Sequence, residues 1–289
     1  MSALASNTTV FLRDADAVAA QIRDGSSIGL PPDYSLVAME VVRALVRRKA
    51  QDLKLIGVPQ LGLCADILIG AGCVREVETS AVTLGEAGLA PRFTAAAENK
   101  TLKIIDATCP MVHSGLQATE KGVPFMPMRG VLGSDLVARH PDWKAIDNPF
   151  ATGDTLLLAK AIVPDVALFH ARWADEAGNV WVGRRKELAT IAHASRACYV
   201  TYEELKPGDM LEDELLAPGC ISSVYVTAVA AAPRGAWPLG VPLVYGIDDA
   251  HLLKYAQMAK TEAGFMGYLE EFVWQPSGRK SSSPASSRA

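Results

Sequence analysis

The chain has 289 residues, of which 49% are hydrophobic, with a formal net charge of −4 and a pI near 5.8. That apolar fraction can fill a sizeable core, and the acidic balance gives no overall field to draw nucleic acid or anionic lipid. The five cysteines, Cys64, Cys73, Cys109, Cys198 and Cys220, are scattered and never spaced as CxxC. A zinc site or a disulfide framework is therefore not expected, and a reducing cytoplasm fits best.

In chain order, the N-terminal stretch lacks a basic segment leading into an unbroken apolar run, so no secretion signal is expected. No window approaches the roughly 18 consecutive apolar residues of a membrane span. Asp14 to Asp24 reads as a helix with Val18, Ala19 and Ile22 on one side, and Ser26 to Leu30 as a short strand. Pro31-Pro32-Asp33 breaks the chain, and Ser35 is placed to cap a helix over Leu36 to Arg48 with Arg43, Arg47 and Arg48 outward.

Leu53 to Val58 then reads as a strand, Cys64 to Ala71 as a helix, and Glu76 to Ser80 and Leu102 to Ile105 as strands. A helix over Met111 to Lys121 leads into a loop, GVPFMPMRGVLGSD. Leu156 to Lys160 and Val166 to Phe169 fall in later apolar elements, followed by a polar turn at residues 174–179 and a short strand, Val180-Trp181-Val182. A helix to Ala194, a β-branched run at Tyr199 to Thr201 and an apolar strand over Ser223 to Ala230 complete the series. Alternating strands and helices predict an α/β fold, one open and mainly parallel sheet with helices on both faces. Residues 1–274 are expected to form one domain, and the Ser/Pro-rich residues 275–289 a disordered tail.

GxGxxG, GxxxxGK[ST] and HExxH are absent from the sequence. Dinucleotide binding, nucleotide hydrolysis and zinc proteolysis lose their usual markers. Three Gly-punctuated segments stand out instead, Ile28-Gly29-Leu30-Pro31, Thr83 to Gly88 and Met128 to Asp135. At strand ends, glycine lets main-chain N–H groups approach a bound carbonyl or phosphate. Candidate binding positions are accordingly Gly29, Gly85, Gly130, Gly133 and Ser134.

Glu86 lies between Gly85 and Gly88, where its carboxylate could face a cleft or cap a helix running from Leu89. Arg129 carries a fixed fork of donors for a carboxylate or phosphate, or for a salt bridge within the protein. Ser114 and Gln117 share one helix face and could hydrogen-bond a substrate. His113, His170, His193 and Cys109 read as packing residues, and Arg184-Arg185-Lys186 as a solvated helix start.

Five segments give the chain a resemblance to a known family: DGSSIGL, TLGEAGLAPRF, GVPFMPMRGVLGSDL, PDVALFHARWADEAGNVWV and the stretch from APRGAWPLG to GYLEEFV. Over residues 16–273 it resembles the A-type (alpha) subunit of family I coenzyme A transferases, nearest to the glutaconate type. The resemblance implies ping-pong transfer of coenzyme A between an acyl-CoA and a carboxylic acid. The attacking glutamate would sit on a beta subunit, in a heterodimer or heterotetramer. No catalytic residue is then expected on this chain, Glu86 being a pocket residue, and neither a metal nor a cofactor beyond coenzyme A as substrate is implied. Family members often carry a Gly-rich run after the first strand, where this chain has Pro31 and Pro32, which lack N–H donors. Two alternatives stay open, a ring-opening hydrolase of coenzyme A thioesters with the same fold and a non-enzymatic protein that binds a phosphorylated ligand.

Overall fold

The computed structural model describes residues 9–140 and 142–274. The predicted tail at 275–289 lies outside the described residues. The strands are β1 (Val10–Leu12), β2 (Ser27–Leu30), β3 (Leu53–Gly57), β4 (Val74–Thr79), β5 (Lys103–Asp106), β6 (Phe125–Met128), β7 (Lys144–Asp147), β8 (Thr155–Lys160), β9 (Val166–Asp175), β10 (Val180–Trp181), β11 (Ala197–Lys206), β12 (Cys220–Ile221) and β13 (Ala228–Ala231). The α-helices are α1 (Ala15–Gln21), α2 (Met39–Arg47), α3 (Leu63–Gly70), α4 (Pro91–Glu98), α5 (Cys109–Glu120), α6 (Asp135–Arg139), α7 (Lys186–Ala194), α8 (Asp249–Met258) and α9 (Glu262–Phe272).

The main sheet runs β1-β13-β11-β9-β2-β3-β4-β5 with every neighbouring pair on that path parallel, and β10 adds antiparallel contacts to β9 and β12. Both faces are buried, so β9 reads as an almost continuous apolar run. Val166 and Leu168 point into a core closed by α1, α2, α3, α8 and α9, while Ala167 and Phe169 point into a second core closed by α5 and α7. This is the open, mainly parallel α/β sheet that the sequence predicts.

The structure differs from the sequence-based expectation in four places. The segment predicted as loop after α5 contains β6, which pairs antiparallel with β8, itself paired with β7, in a separate three-stranded sheet. A small core of Met111, Leu157 and Ala159 ties that sheet to α5. Residues 223–230 divide into a short 3-10 turn, Ser223–Tyr225, and β13. Helix α2 starts at Met39, with Ala38 at its N-cap and no side-chain cap: Leu36 has a left-handed φ of 60°, which no helix accepts, and the Ser35 hydroxyl donates to the Glu187 carboxylate. Arg43 is buried and not outward: it pairs with Glu40 at 3.0 Å, donates to the Trp237 carbonyl and lies 5.3 Å over the Trp237 ring. A long side chain whose charged head is stacked and hydrogen-bonded can be packed inside where a solvated one is expected.

A buried polar network joins β9, β11 and the loop after β13. His170 sits 2.7 Å from the Thr201 hydroxyl through Nδ1 and 2.9 Å from Glu203 Oε1 through Nε2. Tyr245 donates its hydroxyl to the same carboxylate at 2.5 Å, and the Arg234 backbone N–H donates to Oε2 at 2.7 Å. Burial opposes ionisation of Glu203, but these donors outweigh it and hold the carboxyl below its ordinary range. The same network anchors the residue 232–245 loop over His170, where a Cβ on Gly235 would come within 2.9 Å of the imidazole.

Candidate functional site

Strand order locates the site. From β2 the chain progresses through β3, β4 and β5 in one direction, whereas β9, β11 and β13 lie on the other side of β2. Loops leaving β2 and β9 therefore diverge, and ligands of open α/β sheets bind in the crevice that opens there, beyond the carboxyl ends of the strands. Gly29 pairs with Ala167 and β2 stops at Leu30, while β9 continues to Asp175 and carries Arg172 and Trp173 past the end of its neighbour.

A cavity of about 380 Å³ occupies this position, with Leu36, Arg172, Trp181, Arg184, Arg185 and Leu243 among its walls. The Arg172 guanidinium lies 4.0 Å over the Trp173 ring and 5.9 Å from that of Trp181. Nε of Arg172, Nε of Arg185 and the indole Nε1 of Trp181 are buried without a hydrogen-bond partner, each at a cost of about 1–3 kcal/mol. None of the three arginines lies within ion-pair distance of a carboxylate among the described residues. Leu36 and Leu243 hold left-handed φ values of 60° and 64°, a conformation that costs a non-glycine residue about 1–3 kcal/mol and concentrates at ligand-binding loops.

The loop after β2 also meets a second group of polar side chains. Arg185 Nη2 donates to the Tyr34 carbonyl at 3.3 Å, and Glu187 receives the Ser35 hydroxyl. The Tyr34 phenol is pushed up by burial first, then by the Glu187 carboxylate and the Cys109 side chain. Cys109 is the first residue of α5, is exposed, and lies 3.3 Å from the Ser80 hydroxyl. One turn on, burial lowers the pKa of His113 against the opposing pull of Glu187.

Asp33, in the same loop, receives the Leu63 N–H at the start of α3, 2.9 Å and 3.1 Å from its two oxygens. The carboxyl lies so close over Gly62 that a Cβ there would sit 2.1 Å from Oδ2. Burial pushes the Asp33 pKa up to about 7, the Leu63 N–H pulls against it, and nearby Asp66 adds to the rise.

The residues that the sequence singles out are dispersed. Gly29 lies inside β2 beneath α7, where a Cβ would meet Ile191 at 2.7 Å, so its lack of a side chain serves helix packing. Gly85 and Glu86 form a single 3-10 turn before α4, which starts two residues later than the expected Leu89, and Glu86 is exposed. Arg129 forms a two-pronged ion pair with Asp154 at 3.0 and 2.6 Å. Gly130, Gly133 and Ser134 continue that loop, with the Ser134 hydroxyl donating to the Val131 carbonyl at 2.7 Å. Ser114 is half-buried and Gln117 exposed on α5.

These segments spend their hydrogen bonds within the protein: the Gly85 N–H donates to the Thr83 hydroxyl, Arg129 to Asp154 and the Ser134 hydroxyl to the Val131 carbonyl. The arginine cavity has a single trace in the sequence, Arg172 interrupting the apolar run of β9. Gly29→Ala is expected to lower stability by about 1–3 kcal/mol through overpacking against Ile191, read as a lower urea midpoint at unchanged slope.

Among the described residues no helix is long and apolar enough to cross a membrane, and no three His, Cys, Asp or Glu side chains converge as a metal site. An uncharacterized protein of Archaeoglobus fulgidus is 30% identical over 90% of this chain, which spans 58% of that protein's length. The A-type subunit of the 3-oxoadipate CoA-transferase of Pseudomonas knackmussii is 30% identical, with 89% of this chain aligned to 91% of that one. The crystal structure of glutaconate coenzyme A-transferase from Acidaminococcus fermentans superposes with a TM-score of 0.84 at 25% identity, covering 92% of this chain and 89% of that one. The family model described as Coenzyme A transferase matches residues 12–228, and the chain therefore belongs to that family.

Proposed function

We propose that the chain is the alpha subunit of a heteromeric acyl-CoA:carboxylate CoA-transferase whose attacking glutamate is supplied by a beta subunit. The observation that carries this reading is the chemistry of the switch-point crevice in a chain of this family. It presents guanidinium donors for an anion, and among the described residues no carboxylate lines it.

In the proposed sequence, the partner's glutamate attacks the thioester carbonyl, giving an acyl-glutamyl anhydride and releasing the coenzyme A thiolate. The thiolate attacks the glutamyl carbonyl, which frees the first acid and leaves a glutamyl-CoA thioester. The acceptor carboxylate repeats the exchange in reverse and restores the glutamate. This chain binds and orients the acyl group and shields the anhydride from water.

The test is co-expression with the candidate beta chain. Transfer from acyl-CoA to an acid is expected from the complex and not from this chain alone, and borohydride should trap the thioester on the partner. A trapped label at Glu86 overturns the assignment of roles. Thioester loss without any acceptor acid supports the hydrolase instead, and a lone chain that only binds a phosphorylated ligand removes the enzyme reading.

A further inference from the structure

A second cavity, of about 240 Å³, lies between the main sheet, α5 and the small antiparallel sheet, and it shares no wall residue with the switch-point crevice. Its floor is apolar: Ile56, Met111, Val112 and Ala159 are each at most 3% exposed. A bare ion would lose hydration there and gain nothing in return. Four charged residues also stand among the walls, Lys54 and Lys160 against Glu78 and Asp142, and their formal charges cancel. Lys54 is held between Glu78 at 2.7 Å and Glu76 at 3.0 Å, which occupies two of its three N–H donors and one oxygen of Glu78. That pair can still donate one hydrogen bond from Lys54 and accept at the second oxygen of Glu78. Asp142 is exposed and forms no ion pair among the described residues. Next to it stands Trp143, with His140 stacked on one face at 3.8 Å. An indole ring beside a carboxylate suits an ammonium group.

These walls match a solute with one positive and one negative group close together and an apolar remainder. A monocarboxylate would leave Glu78 and Asp142 unmatched, and both would repel a polyanion. The volume lies below the range of about 300–1,000 Å³ that takes drug-sized ligands, so the solute is compact. We propose that this cavity binds a free amino acid with an aliphatic side chain. Its ammonium group would sit on Glu78 and Asp142, its carboxylate on Lys54, and its side chain over Ile56 and Met111. The assignment goes beyond the transferase reading and does not depend on it, because binding is read on the chain itself.

Leucine, 4-methylpentanoate and 3-methylbutylamine share one aliphatic body and differ in head group, so they separate a zwitterion site from an anion or a cation site. Titrated by calorimetry onto the full chain, leucine is expected to bind with a Kd below about 1 mM, and the other two at least about tenfold more weakly. Asp142→Asn should weaken leucine about tenfold without moving the urea midpoint of the unliganded chain, because the side chain is exposed. Glu78→Gln, which leaves Lys54 paired with Glu76, should weaken it by a similar factor. Ala161→Phe fills the cavity without removing a charge and should abolish binding. The proposal is overturned if leucine does not bind at about 10 mM, if either single-charge analogue binds as tightly as leucine, or if Asp142→Asn and Glu78→Gln leave its affinity unchanged.

Discussion

Glu203→Ala is expected to destabilise the fold by about 3–5 kcal/mol, seen as a large drop in the urea midpoint at pH 7. The substitution strands three groups at once: His170, whose side chain is fully buried, the Tyr245 hydroxyl and the Arg234 backbone N–H. A donor left buried without its acceptor costs its full desolvation, which is why the loss exceeds that of an exposed ion pair. Glu203→Gln keeps one acceptor oxygen and should lose less. The sign with pH follows from the lowered carboxyl of Glu203. Its stabilisation is complete above the unfolded value of about 4.3 and drains away as pH falls through the lower folded value. The gap between wild type and Glu203→Ala should therefore narrow below about pH 4; a gap that stays constant down to about pH 2 would show that the carboxylate itself contributes nothing.

Asp33 has the opposite sign. Its pKa of about 7 in the fold lies above the unfolded value of about 3.9, so the folded chain holds a proton that the unfolded chain releases. Between those values stability falls as pH rises, and above about pH 7 the fold must carry a buried carboxylate. Asp33→Asn keeps an acceptor for the Leu63 N–H and cannot ionise. The variant should gain stability over wild type on going from about pH 4 to about pH 8, by about 2 kcal/mol once the partial exposure of the residue is allowed for. Denaturant curves at the two pH values decide this, and equal differences at both would mean that Asp33 is ionised throughout.

Most of the main sheet is legible in the sequence because burial on both faces writes long apolar runs. Val166 to His170, Leu53 to Val58 and the helix covering Met111 to Lys121 announce themselves from a few adjacent residues. The elements that local pattern does not reveal are those whose reason lies elsewhere in the chain. Strand β1 has three residues, two of them exposed, and forms because β13 pairs with it through Val10 and Ala228. The small antiparallel sheet is exposed along much of β6 and β7, so it carries little apolar periodicity.

The binding crevice is hidden for a similar reason. Strand order is a global property, and no local pattern says that Leu36, Arg172, Trp181 and Leu243 will face one space. Arg184 and Arg185 have the sequence signature of a solvated helix start, and they do lead into α7 with Arg184 exposed, but both also line the cavity. Gly29 stands out in the sequence for close approach, and the approach is real, but its neighbour is a helix side chain.

The clasp between Ser27 and Asp165, in which Ser27 N–H and Oγ–H donate to one carboxylate oxygen at 2.9 and 2.7 Å, spans 138 positions of sequence. On the ribosome, β2 must wait on the order of ten seconds for its neighbour to be synthesised. During that interval one long side of an otherwise assembled half-sheet is an open, apolar edge, which is the condition under which nascent chains recruit chaperones or mispair. The architecture that creates a place for substrate thus sets the hardest moment of the chain's biogenesis.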